Sequence, residues 1–365
     1  MTNCLSIILT LLCIGPFAQG QVLSSRQYNE RLSLLSQQVA EQMARYPNFR
    51  SYVKEKTGER FDGDYNFLVK PHLEDPVESG KSLREVLLEG LERPDEMLSF
   101  LQSYKQLQIA VPHRWEAWNG QEPLSVVFID ADYEEHLAKT VQGYSPAGFP
   151  IQLSVLEGPN FPVVVLGQNE RTDAAGHLLP VYGPTGEGGS IGPFGGNINN
   201  GGGSTCYGDE GEWQYIASIR ASNLSALEHW ICGVPEVRFV VKRNDDLSLL
   251  NGEMGAILIP DDRDDINGVW DTFNATLFRW YNEESGTPLV GNNCVFFVSE
   301  KDNGTWFSSP ITVGLTMANG MQIGVTFNIE LTDKDEWIGT VPVYFEDCNF
   351  FEYNPGSLQF KLKRI

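Results

Sequence analysis

The residues in this chain best equipped for chemistry are carboxylates, and the densest of them share a few loop-like stretches. Asp261, Asp262, Asp264 and Asp265 fall within five positions and run into Asn267-Gly268. Carboxylates this close repel one another unless water or a cation offsets them. Glu300 and Asp302 precede Asn303-Gly304, and Thr332 opens a second run with Asp333, Asp335 and Glu336. Calcium takes several oxygen ligands from loops of this kind. Calcium held by Asp261, Asp262, Asp264, Asp265, Glu300, Asp302, Asp333 and Asp335 is therefore one expectation, and a solvated acidic rim is the other. Asp62-Gly63-Asp64-Tyr65-Asn66 has the D-x-D-x-N opening of a calcium loop. Leu73 stands where the closing bidentate Glu would be, so a turn between helices is the expectation there.

Catalytic patterns are not recognised. The five histidines, at 72, 113, 136, 177 and 229, form no H-E-x-x-H, and no G-x-S-x-G occurs. His136 beside Glu134-Glu135 reads as a solvated helix face, and His229-Trp230 as a packed aromatic pair at a strand or loop edge. A carboxylate pair for glycoside cleavage is placed by the fold rather than by sequence spacing. An extracellular hydrolase acting on a glycan or peptide through paired carboxylates therefore stays open. The eight tryptophans would serve such an enzyme as stacking platforms, or serve the fold as core anchors.

The elements that position these residues begin with an export signal. Leu5 to Ile14 is apolar and Ala18-Gln19-Gly20 is a small-x-small cleavage site. About ten apolar residues are too few to span a bilayer, so residues 1–20 read as a signal peptide cleaved before Gln21. No later stretch approaches the length of a transmembrane segment, and a secreted protein, extracellular or periplasmic, is expected. Four cysteines remain: Cys206, Cys232, Cys294 and Cys348. An exported chain with an even number points to one or two disulfides, with three full pairings open. Their wide separation excludes close-paired zinc ligands. With 26 basic against 48 acidic residues the net charge is 26 − 48 = −22, which excludes nucleic acid as a partner.

Residues 21–106 read as a helical region. Leu32, Leu35, Val39 and Met43 recur at helical spacing up to Pro47, and Ser82 to Glu85 spells a capping box. Residues 107–182 carry short β-rich runs such as LQIAVP and FPVVVLG, a small β unit. Residues 183–211 are glycine-rich without Lys or Arg, a linker. Residues 212–365 hold many short strands with turn signals between them, an antiparallel sandwich.

Two resemblances add to this. Thr332 to Gly339, TDKDEWIG, resembles the D-x-D…D-D-x-I-G signature of C2 domains, and Asn267-Gly268-Val269-Trp270 with Phe273 is similar to that family's L-N-P-x-W-N-x-x-F stretch. Over about 230–365 the resemblance implies an eight-stranded antiparallel sandwich with calcium-binding loops at one end. Asp333 and Asp335 would then be ligands, with Glu300 and Asp302 as neighbours. The acidic segment before DEWIG is shorter than the family pattern, and the SDPY-type first loop is absent. The whole chain also resembles an uncharacterised family of secreted Bacteroidota proteins. That likeness is carried by FDGDYNFL (61–68), LQIAVP (107–112), PVVVLGQNER (162–171) and WICGVPEV (230–237). It implies export and architecture, not mechanism.

The fold expected is thus α+β and multidomain: a helical N-terminal region, a small β unit and a C2-like β-sandwich. The function expected is non-enzymatic binding of a protein, glycan or surface, assisted by calcium. The hydrolase is one alternative. A helical inhibitory or export-linked segment attached to a sandwich is another.

Overall fold

The computed structural model describes residues 23–135, 137–179, 212–243, 254–280, 293–302, 306–316, 322–332 and 335–365. The segment expected to be a signal peptide (1–20), the glycine-rich 183–211, Cys206, His136 and Asp333 lie outside them. The fold is mixed α+β, with helices and a small sheet in the N-terminal half and antiparallel sheets in the C-terminal half.

Helix α1 (Ser25–Arg45) starts at a capping box: Ser24 accepts from the Gln27 amide, and Gln27 accepts from the Ser24 amide. Its buried stripe of Tyr28, Leu32, Leu35, Val39 and Met43 is the periodic face read from sequence. Pro47 does more than end α1. It opens α2 (Pro47–Gly58) at the first helical position, where its missing N–H is not needed. Helices α3 (Leu83–Leu88) and α4 (Pro94–Ser103) follow, the first of them capped by the Ser82/Glu85 box.

The N-terminal strands are β1 (Asn66–Leu68), β2 (Pro76–Glu78), β3 (Lys81–Ser82), β4 (Leu107–Ala110), β5 (Val126–Phe128), β6 (Thr140–Tyr144), β7 (Pro150–Ser154) and β8 (Val164–Gln168). Six of them form one sheet in the order β1-β4-β8-β5-β6-β7, antiparallel except where β5 runs parallel to β8. One core joins Leu35, Val39 and Leu101 of the helices to Ile109, Val126 and Leu166 of the sheet. The boundary expected at residue 107 therefore falls inside a shared core, and β1 from the helical stretch is a strand of the same sheet.

The C-terminal strands are β9 (Trp213–Ala221), β10 (Val237–Arg243), β11 (Met254–Leu258), β12 (Asp271–Arg279), β13 (Asn293–Glu300), β14 (Trp306–Thr316), β15 (Gln322–Thr332), β16 (Trp337–Tyr344), β17 (Glu352–Tyr353) and β18 (Leu358–Arg364). Two four-stranded antiparallel sheets, β11-β10-β13-β16 and β12-β9-β18-β17, close on one core. Strand alternation sends Phe239, Val241, Phe296 and Val298 into that core and Val240, Val295 and Phe297 to the opposite face. The β14–β15 hairpin covers this second face with Val313, Phe327, Ile329 and Leu331. That is why β13 is apolar without alternation: both of its faces are buried.

The halves meet through the loop between β9 and β10. Trp230 and Ile231 pack with Val127, Val141, Val155 and Val165 of the N-terminal sheet. Trp230 donates its indole N–H to the Ser154 carbonyl at 2.9 Å, and Ser225 donates to the Leu156 carbonyl at 2.6 Å.

Candidate functional site: an acidic cavity between the halves

The turn after α2 builds the first wall. Asp62 turns back on its own segment, accepting from the Asp64 amide at 3.1 Å and from the Asn66 side-chain amide at 3.0 Å. It also accepts from the amide of Asn169, which lies just beyond β8 and gives its other N–H to Gln108. Because both asparagine NH2 groups are drawn to acceptors, both amide oxygens are turned away from them. Gly233 is needed opposite. Its φ is +117°, and a Cβ there would come within 2.6 Å of an Asp64 carboxylate oxygen.

Arg171 ties the walls together. It donates to the Asp62 carbonyl at 3.1 Å and the Val234 carbonyl at 3.0 Å, pairs with Asp64 at 3.3 Å, and bonds Glu236. Burial opposes its charge, but Asp64 and Glu236 outweigh burial and hold the guanidinium protonated. The Glu236 amide donates to Glu300 at 3.1 Å, and Lys301 approaches Glu236 at 3.9 Å.

These residues enclose a cavity of about 230 Å³. Its acids are Asp62, Asp64, Glu170, Glu228, Glu236, Glu300 and Asp302; its bases are Arg171 and Lys301; Ile129, Leu179, Ile231 and Ile257 supply hydrocarbon. Each of the four stretches FDGDYNFL, LQIAVP, PVVVLGQNER and WICGVPEV places at least one residue in the wall.

Four of the acids sit where charge is costly. Burial, and then Glu300 and Glu135, raise Glu228 well above the carboxylate range. Burial raises Glu300 and Asp302 in the same way; Asp302 is also raised by Glu300 and by Glu170, to which it hydrogen-bonds. Burial lifts Asp64 to about 6 against the pull of Arg171. Beside the cavity, burial lifts Glu135 to about 7 and lowers His229 to about 4. His229 is therefore neutral at pH 7, and its 3.7 Å approach to Glu135 is not an ion pair. Burial also pushes the Cys232 thiol well up, which makes it a poor nucleophile.

Four oxygens around this cavity have no hydrogen-bond partner among the described residues: Asp64 Oδ1, Asn66 Oδ1, Asn169 Oδ1 and Glu228 Oε2. Each belongs to a lining residue. Buried acceptors are normally satisfied, so such a group needs an explanation.

The acidic loops singled out in the sequence fall in two places: the 261–265 loop stands apart, while the 300–302 and 332–335 stretches adjoin. Asp262 caps a 3-10 turn over Arg263–Ile266 and forms a reciprocal box with Asp265. The Asp261 carbonyl accepts from Arg60 of the N-terminal half. The deepest residue of that loop is a base: Arg263 is buried and donates to the carbonyls of Gly233, Leu224 and Glu228. Asp335 ties its turn to the 300–302 stretch, accepting from the amides of Asp302 and Thr332 at 3.0 Å each, with Arg238 at 3.9 Å. Glu300 and Asp302 do line the cavity. Among the described residues no three His, Cys, Asp or Glu side chains converge as a metal site.

Sequence reasoning assigned no site role to Asp62, Asp64, Glu170, Arg171, Glu228 or Glu236. The missed signal was the pairing of buried-looking apolar runs with isolated charges, as in VVVLGQNER and WICGVPEV. His229 and Trp230 are both buried but pack apart, His229 on Tyr133 and Trp230 towards His113. Cys232 and Cys294 are free thiols. Among the described residues no helix is long and apolar enough to cross a membrane.

No protein-family model matches the chain, and neither a curated protein nor a solved structure does.

Proposed function

We propose that this is an exported, non-enzymatic binding protein whose small polar ligand occupies the acidic cavity between the halves. The four buried oxygens without partners carry this reading. A fold that leaves several acceptors unpaired around one cavity is destabilised by about 1–3 kcal/mol for each, and a ligand that satisfies them recovers that free energy on binding. Two four-stranded antiparallel sheets around one core support a C2-like sandwich as the scaffold. Calcium belongs to the reading through Glu300 and Asp302. A calorimetric titration that gives no heat and no thermal shift at millimolar calcium removes that part. Cys232 and Cys294 are free thiols, and a non-reducing peptide map tests whether the exported protein carries a disulfide.

The test of the main reading is a thermal-shift panel on the mature chain: amines, carboxylic acids, sugars and calcium. At least one class should stabilise the wild type and leave the cavity-filling Val234→Trp variant unmoved. Equal shifts in both proteins, or none in either, would overturn it.

One alternative also has a specific observation behind it. The N-terminal half touches the acidic loop of the C-terminal half, with Arg60 bonded to the Asp261 carbonyl. That supports an inhibitory or export-linked role for the N-terminal half. The polymer hydrolase gains less, because no tryptophan is among the described lining residues to stack a sugar beside the buried carboxylates.

A further inference from the structure

The unpartnered oxygens define the chemistry of the ligand, an identity that rests on the cavity-binding proposal. Asn66, Asn169 and Glu228 are 2%, 2% and 6% exposed, and Asp64 joins them as the fourth. The asparagine oxygens accept in any state, and the Asp64 and Glu228 oxygens accept once their carboxyls are ionised. The bases of the wall are already engaged, Arg171 by Asp64, Glu236 and two carbonyls, and Lys301 by Glu236. A ligand that completes the site must therefore bring donors, and one that brings positive charge draws Glu228 into its carboxylate form and gains a charge-assisted bond. The rest of the wall is hydrocarbon, with Ile129, Ile231 and Ile257. The volume is about 230 Å³, several times the roughly 30 Å³ of a single water.

We propose that the cavity binds a small organic cation: a nitrogen centre with several N–H donors on a short hydrocarbon stem. It is supplied either as a free amine or as the side chain of a basic residue in a peptide. Arg171 shows the pattern within the chain, a guanidinium held by carboxylates and carbonyls on the same wall.

Binding has a protonic signature. Glu228 faces Glu300, Glu135 and Asp64 with Arg263 as the nearby base, and burial favours its protonated form. A bound cation favours the carboxylate instead, so binding releases protons and tightens as pH rises above the ordinary carboxylate range.

The experiment is isothermal titration of the mature full chain with 1,5-diaminopentane and with Nα-acetyl-lysine amide. The comparison compounds are 1,5-pentanediol, glutarate and calcium chloride. The expected result is saturable binding of at least one cation, with heats in buffers of different ionisation enthalpy showing proton release. Glu228→Gln, which keeps the side-chain volume, should weaken binding at least about tenfold. Binding of the diamine identifies a free amine as the source; binding of the lysine amide alone identifies a peptide side chain. Binding of the diol or glutarate with neither cation overturns this proposal and leaves the cavity reading standing. Calcium binding that is lost in Glu228→Gln, with neither amine bound, also overturns it, in favour of a metal. If nothing binds, both readings fall. Proton release is read on the wild type, so the proposal stays testable if the variant does not fold.

Discussion

Asp62 is the smallest unit on which the site depends. Its carboxylate holds the amides of Asn66 and Asn169, and through them fixes where two unpartnered oxygens lie. Asp62→Ala leaves the Asn66 amide without its acceptor and Asn169 with only Gln108. A loss of about 2–4 kcal/mol in urea unfolding is expected, at 1–3 kcal/mol for each buried group left unpaired; a loss under about 0.5 kcal/mol would contradict this role. Glu135 gives a second prediction, with a sign. Its folded value of about 7 lies above the ordinary 4.5, so the folded protein binds more protons between them. Its stabilising effect is complete below the ordinary value and is lost as pH rises through 7. Glu135→Gln removes this dependence. The variant should gain on the wild type by up to about 3 kcal/mol between pH 4.5 and 8, at 1.36 kcal/mol per pKa unit. Parallel stability profiles for the two proteins would refute it. The sequence offered little at this level. It displayed Asp62, Asp64 and Asn66 as a calcium-like opening, but their partners Asn169 and Arg171 come from more than a hundred positions away. Charge and spacing along a chain do not encode which distant carboxylates the topology buries together.

The elements were far more readable, because local chemistry sets them. The apolar stripe of α1 and the capping boxes at Ser24 and Ser82 depend on residues three or four positions apart. The β-rich runs from LQIAVP onwards became strands for the same reason. Which strands pair was not readable: β8 lies between β4 and β5, and β9 between β12 and β18. Nor did the strand pattern reveal that the β14–β15 hairpin forms a lid over the outer face of β10 and β13. This lid yields a prediction. Phe327 is buried and meets Phe297 edge-to-face with ring centres 5.3 Å apart. Phe327→Ala should cost about 3 kcal/mol, at the lower end of buried phenylalanine truncations because a hairpin can partly settle. Amide exchange should then rise first in 306–316 and 322–332, while β9 and β18 stay protected. Uniform exchange across the C-terminal half would show that the hairpin is not a separable layer.

The two halves have separate cores, one around α1 and the six-stranded sheet and one between the paired sheets. Among the described residues their contacts include the 224–234 loop, Arg60 on Asp261, Arg171 on Glu236, and Glu170 on Asp302. Part of the −22 charge that the sequence placed on solvent loops is buried at this junction. Trp230 is its main apolar anchor, 2% exposed and bonded to Ser154. Trp230→Ala removes an indole whose truncation typically costs about 3–5 kcal/mol, and it leaves the Ser154 carbonyl without that donor. Arg263 still braces the loop through three carbonyls, so the loop should keep its fold and lose its grip. Halves with independent cores and a weakened interface unfold independently. Calorimetry should therefore resolve two transitions in Trp230→Ala, and limited proteolysis should cut near 224–234. The exposed control Val269→Ala should keep the wild-type profile. A single transition merely shifted downwards would mean that the remaining contacts suffice to couple the halves. The cavity, with walls drawn from both sides, would then be held by Arg171 and its carboxylates rather than by the tryptophan.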